Sequence, residues 1–155
     1  MKISDTDILL VPGYGQSLPG HWLLRWRDKM PTARVVKQAE LHRPSKKEWL
    51  ETLVKAVDAA ERPVVLVAHS LGCILVAHGA HALKDKIAGA YLVAPSDWDR
   101  EGLVAEFDGG DFKPIPEHPL PFPAHLVASR DDPYCDYARA EHFAKVWGTT
   151  FQDAG

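Results

Sequence analysis

Ser70 is the side chain in this 155-residue sequence best placed to act as a nucleophile. It sits in Val64-Val65-Leu66-Val67-Ala68-His69-Ser70-Leu71-Gly72. Four apolar residues, three of them β-branched valines, predict a buried strand, and the residues after the turn predict an apolar helix. Between them lies the pattern small-x-Ser-x-small, a nucleophile elbow. The turn is tight enough that the residues two positions either side of Ser70 must be small. Ala68 and Gly72 meet that need, with Ala68 standing where glycine is usual. Strain in such a turn lifts the serine Oγ above the end of a sheet, beside a helix N-terminus that stabilises developing negative charge.

A serine hydroxyl that attacks an acyl carbon needs a base, a carboxylate to orient that base, and donors for the oxyanion. On this kind of turn the order along the chain is Ser, acid, His. The acid belongs just after a strand near the serine strand, and Leu126-Val127-Ala128-Ser129-Arg130-Asp131-Asp132-Pro133 fits. Either aspartate can serve. Pro133 restricts Asp132 to an extended backbone, which favours Asp132 over Asp131, and the ordinary alternative for both is capping of the loop. The oxyanion donors expected are the backbone N–H of Leu71 and that of Tyr14, in the loop Pro12-Gly13-Tyr14-Gly15, whose glycines let the main chain approach a ligand closely.

The base is the missing part. Of the eight histidines, those at 21, 42, 69, 78, 81, 118 and 125 precede Asp132, and only His142 follows it. His142 falls mid-helix and reads as a surface residue. His69 reads as structural or as a minor pocket wall, and His78 and His81 as helix residues with structural partners. His21, at a helix start beside the oxyanion loop, can touch substrate. Trp22, spaced four from Trp26, is by the same logic a core residue. The base is expected after the last strand, and the sequence stops at Asp153-Ala154-Gly155.

These residues need a scaffold that brings strand ends together. Apolar runs predict strands at 8–11, 33–36, 64–67, 88–94 and 126–129, with a sixth beginning at 149. Helices are predicted from Trp22 to Met30, stopped by Pro31; after the Ser45–Glu48 capping box; from Leu71 to about Leu83; and after Asp136. The alternation predicts a doubly wound, mainly parallel α/β sheet of about six strands, as one domain over 1–155. Residues 112–123 carry five of the twelve prolines and read as a stiff surface connection. Before it, residues 97–112 leave room for a small flap but no lid domain. Specificity should rest on the loops at 13–21 and 95–123.

Composition narrows the class. Hydrophobic residues make up 46% and charged residues 25%, as in ordinary globular proteins. A net charge of −3 offers no basic stripe for nucleic acid and no polybasic cluster for a membrane. No apolar stretch is long enough to span a bilayer, and the N-terminus lacks a signal peptide's apolar run, so the cytoplasm is the expected compartment. Cys73 reads as core and Cys135 as a partly exposed loop residue. Neither has metal-ligand spacing, and no metal or organic cofactor is implied.

The chain resembles the small, lidless serine hydrolases of the α/β-hydrolase superfamily, the group of YdeN-like proteins and the retinoblastoma-binding serine hydrolase. Leu10-Val11-Pro12-Gly13, His21-Trp22 with Trp26, Val67 to Gly72, and Ser129 to Pro133 carry the resemblance. It implies Ser70 as nucleophile and Asp132 as the acid. It also implies a base histidine in a Gly-His after the last strand, around the point where this sequence stops. The expectation is a serine hydrolase of small acyl esters whose base lies past Gly155, on a natural chain that continues. A natural pseudoenzyme, or a histidine supplied by another molecule, are the other two outcomes. The competing class is a silent hydrolase-fold module that binds a small ligand or a partner protein, although no sequence feature supports a protein partner.

Overall fold

The computed structural model describes residues 1–15 and 18–155; Gln16 and Ser17, part of the predicted specificity loop at 13–21, lie outside the described residues. Among these described residues six strands form one sheet: β1 (Asp7–Val11), β2 (Ala33–Val35), β3 (Val64–His69), β4 (Ile87–Val93), β5 (Ala124–Ala128) and β6 (Thr150–Asp153). Every pairing is parallel, in the order β2-β1-β3-β4-β5-β6. Among the described residues four α-helices accompany them: α1 (Trp22–Lys29), α2 (Lys46–Asp58), α3 (Leu71–Leu83) and α4 (Tyr137–Trp147).

The helices divide between the two faces of the sheet. Leu9, Val11, Leu66 and Ala68 point into the larger core with residues of α2, α3 and α4, among them Leu53, Ile74 and Phe143. Ile8, Leu10 and Val67, on the opposite pleat, meet Leu23, Trp22 and Trp26 of α1. Alternate strand residues thus serve opposite faces, and β1, all of whose residues are buried, is covered on both. Ten residues of α3 are buried, as its nearly all-round apolar sequence requires.

Helix starts follow local chemistry in part. Ser45 Oγ accepts the Glu48 N–H at 3.3 Å, one half of the predicted capping box. A second cap comes from far along the chain: Asp111 accepts from the Lys46 and Lys47 N–H groups at 2.8 and 3.4 Å. Asp136 precedes α4, but its side chain makes no capping hydrogen bond.

The crossover from β4 to β5 departs from simple alternation. It contains no α-helix, only a single 3-10 turn at Gly110–Phe112 and an isolated bridge between Val104 and Phe107. Its proline-rich half is not merely superficial. Ile115 and Phe122 are buried, and the Trp147 indole N–H donates to the Pro116 carbonyl at 2.8 Å. Cys135, expected to be partly exposed, is buried instead. Packing of its loop against the β4–β5 crossover, seen in the Asp97 N–H donating to the Tyr134 carbonyl at 2.9 Å, removes it from solvent. Among the described residues no helix is long and apolar enough to cross a membrane.

Candidate active site

The strand order reverses direction between β1 and β3, and in parallel sheets ligands bind in the crevice at such a point, outside the strand C-termini. Tyr14 follows β1 and Ser70 follows β3. Ser70 has φ 55° and ψ −119°, a backbone conformation rare for a residue with a side chain. Its N–H donates to the Val93 carbonyl at 3.0 Å and its carbonyl accepts from the Cys73 N–H at 3.0 Å, so both flanks of the turn are pinned.

Two glycines make the turn possible. A Cβ on Gly72 would stand 2.5 Å from the Val11 carbonyl oxygen, so α3 can start against β1 only with glycine there. A Cβ on Gly13 would stand 2.9 Å from Ser70 Cβ and 3.4 Å from the Leu71 nitrogen. The Pro12–Gly15 loop is therefore pressed directly onto the elbow. Leu71 is the first residue of α3, where backbone N–H groups have no partner within the helix. Among the described residues neither the Leu71 nor the Tyr14 N–H donates to another backbone carbonyl outside the helices and strands.

A cavity of about 280 Å³ opens at this place, and Ser70, Tyr14, His21 and Asp132 all line it. Residues 118 positions apart in sequence (132 − 14) thus share one wall-to-wall space. Leu71 is fully buried and is not itself among the residues that line it. Asp131 is exposed, whereas Asp132 is half-buried and accepts the Tyr134 N–H on Oδ1 at 2.8 Å. Burial raises the Asp132 carboxyl above the usual range, opposed by that N–H and by the Arg100 charge.

Two histidines also reach the cavity. His69 and His21 have ring centroids 5.0 Å apart, and the edge of Trp22 meets His69 at 5.8 Å. Burial, with His21 alongside, pulls His69 down to about 4, so its ring is neutral near pH 7. His21 caps α1: its Nδ1 accepts the Leu23 N–H at 3.2 Å, which leaves the proton of the neutral ring on Nε2. Burial lowers its pKa as well. His142 stands apart, bonded through Nε2 to Glu117 at 2.7 Å and outside the cavity lining. His78 is tied to the Phe112 carbonyl at 2.7 Å.

The remaining wall comes from the β4–β5 crossover. Trp98 packs on Tyr14 at 5.6 Å and on Phe107 at 5.1 Å, and Phe107 stacks on Tyr14 at 5.6 Å. The sequence points to 95–123 for specificity, and within that stretch Ser96, Trp98 and Val104 line the cavity. No local signal marks them, because their approach depends on how a long crossover folds back. Among the described residues no group of three or more His, Cys, Asp or Glu is arranged to hold a metal ion.

A family model described as serine hydrolase matches residues 8–155. The chain belongs to the serine hydrolase family. Its function is accordingly that of a hydrolase. Among solved structures it is similar to a YdeN-like hydrolase from Pectobacterium atrosepticum, with 27% identity, 99% of this chain and 79% of that chain covered, and a TM-score of 0.84. The ydeN gene product of B. subtilis matches at 19% identity over 97% of this chain and 85% of that one, with a TM-score of 0.73. Mouse alpha/beta hydrolase domain-containing protein 10 matches at 16% identity over 94% and 78%, with a TM-score of 0.67. The last two likenesses speak to the fold alone. Comparison with curated proteins gives no match. Together the family and these neighbours identify a small α/β-hydrolase-superfamily member with an all-parallel six-stranded sheet.

Proposed function

We propose that this serine hydrolase cleaves small acyl esters through Ser70. The observation that carries the reading is the strained Ser70 backbone at the start of α3, facing a cavity shared with Tyr14 and Asp132. Ser70 Oγ attacks the ester carbonyl carbon as its proton passes to the base. The Leu71 and Tyr14 N–H groups receive the oxyanion, the alcohol leaves with the proton, and water then hydrolyses the acyl-serine by the same path.

The base in this reading is a histidine from outside residues 1–155, oriented by Asp132. His69 suits the role poorly, because a group held near 4 is a weak proton acceptor at neutral pH. His21 has its Nδ1 engaged by the Leu23 N–H. The Arg130 N–H donates to the Gly155 carbonyl at 2.8 Å, so a residue joined to Gly155 would enter beside the Asp132 loop.

Hydrolysis of p-nitrophenyl acetate tests the assignment. Residues 1–155 alone should turn the ester over about 10⁴–10⁶-fold more slowly than a complete triad, since triad members act as a unit. Imidazole in solution should restore part of the rate, and Ser70→Ala should remove that restored part. Ordinary enzymatic rates from residues 1–155 alone would instead make an internal histidine the base.

A further inference from the structure

The cavity holds a hydroxyl that the proposed reaction does not use. Ser96 lines it and is 1% exposed. Its Oγ accepts the Trp98 indole N–H at 2.7 Å. Among the described residues no acceptor takes the Ser96 hydroxyl proton. A hydroxyl has one proton and two lone pairs, and here only the acceptor side is satisfied from within the fold. A buried donor left without a partner is costly, and Ser96 borders the cavity.

The same cavity limits what can accept that proton. Among the described residues its one carboxyl group is that of Asp132, and neither lysine nor arginine lines it. His69 is neutral near pH 7, as its pulled-down pKa requires. An anionic group would enter beside a carboxylate with no lysine or arginine in the lining to meet it. A neutral oxygen would not. Tyr14 and Val104, which line the cavity with Ser96, supply apolar surface for the rest of the chain carrying that oxygen.

We infer that Ser96 is a specificity residue that donates its hydroxyl proton to a neutral oxygen on the substrate, beyond the scissile carbonyl. The substrate class is an ester whose acyl part carries an ether, hydroxyl or keto oxygen. This inference rests on the proposed reading of the cavity as the site of ester cleavage by Ser70. A site built to hydrogen-bond a substrate oxygen discriminates strongly against the analogue that lacks it.

The test compares p-nitrophenyl methoxyacetate with p-nitrophenyl butyrate, which differ by an ether oxygen in place of a methylene. It uses the protein in its natural full length. The ratio of kcat/KM for the two esters is measured in the parent, in Ser96→Ala and in Trp98→Phe, so that the esters' intrinsic reactivity cancels between proteins. Ser96→Ala should lower the methoxyacetate-to-butyrate ratio about tenfold, the usual scale for one buried hydrogen bond. Trp98→Phe removes the indole donor but keeps the Ser96 hydroxyl, and should leave the ratio within about twofold of the parent. A ratio unmoved by Ser96→Ala, in a protein that turns over both esters, overturns the inference alone. So does an equal fall in Trp98→Phe, which would trace the effect to the indole contact. If the parent turns over neither ester and Ser70 fails to react with an acylating probe, the ester-cleavage reading falls and takes this inference with it.

Discussion

Gly13 and Ser70 are in contact across the mouth of the sheet: a Cβ on Gly13 would stand 2.9 Å from Ser70 Cβ. That relationship ties the loop after β1 to the turn after β3. It sets the spacing between the Tyr14 N–H and the serine Oγ. Gly13→Ala would force the loop away from the elbow and move one proposed oxyanion donor. Ester hydrolysis should fall about 10²-fold, the scale of losing one such donor, with a loss of stability of about 1–3 kcal/mol. Steady-state kinetics and a thermal melt on the same preparation check both. Unchanged kcat would separate Tyr14 from the reaction.

Strain at Ser70 gives a second expectation. Its φ of 55° and ψ of −119° are tolerated best by glycine. Ser70→Gly should raise stability by about 1 kcal/mol and abolish ester hydrolysis together. Denaturant unfolding with a parallel activity assay reads both. A variant less stable than the parent would show that the turn is unstrained.

Much of this arrangement is legible in the residues. The Val64–Val67 run, the small residues flanking Ser70 and the Gly-rich loop are local signals, and each lies where the sequence places it. Strand ends shifted by a residue or two, because β-ladder pairing and not composition decides where a strand stops. What could not be read depends on distant contacts. Asp111 capping α2, Trp98 on Tyr14, and the burial of Cys135 all follow from the fold of the 94–123 crossover, whose prolines and polar residues announce only that it is irregular. Its place next to Ser70 gives His69 by itself only a structural or minor pocket-wall role. It becomes prominent once Trp22 and His21 are seen packing around that ring.

His69 carries the pH dependence. Its folded pKa is depressed to about 4 from an ordinary 6.5, so the unfolded chain binds a proton first as pH falls. The stability it contributes is fully present above about pH 6.5 and is lost progressively as pH falls toward 4. The full loss is roughly 3 kcal/mol. His69→Gln should flatten the stability curve across that window relative to the parent, measured by urea unfolding at successive pH values. Parallel curves would mean that His69 is not held neutral by its surroundings.

The central claim is that Ser70 is the nucleophile. A fluorophosphonate probe added to the protein in its natural full length, followed by peptide mapping, tests it most directly. The account predicts a single adduct on the peptide containing Ala68-His69-Ser70-Leu71-Gly72, absent in Ser70→Ala and paralleled by loss of ester hydrolysis. An unmodified Ser70 in a folded protein, or an adduct on another serine accompanied by full loss of hydrolysis, would contradict it.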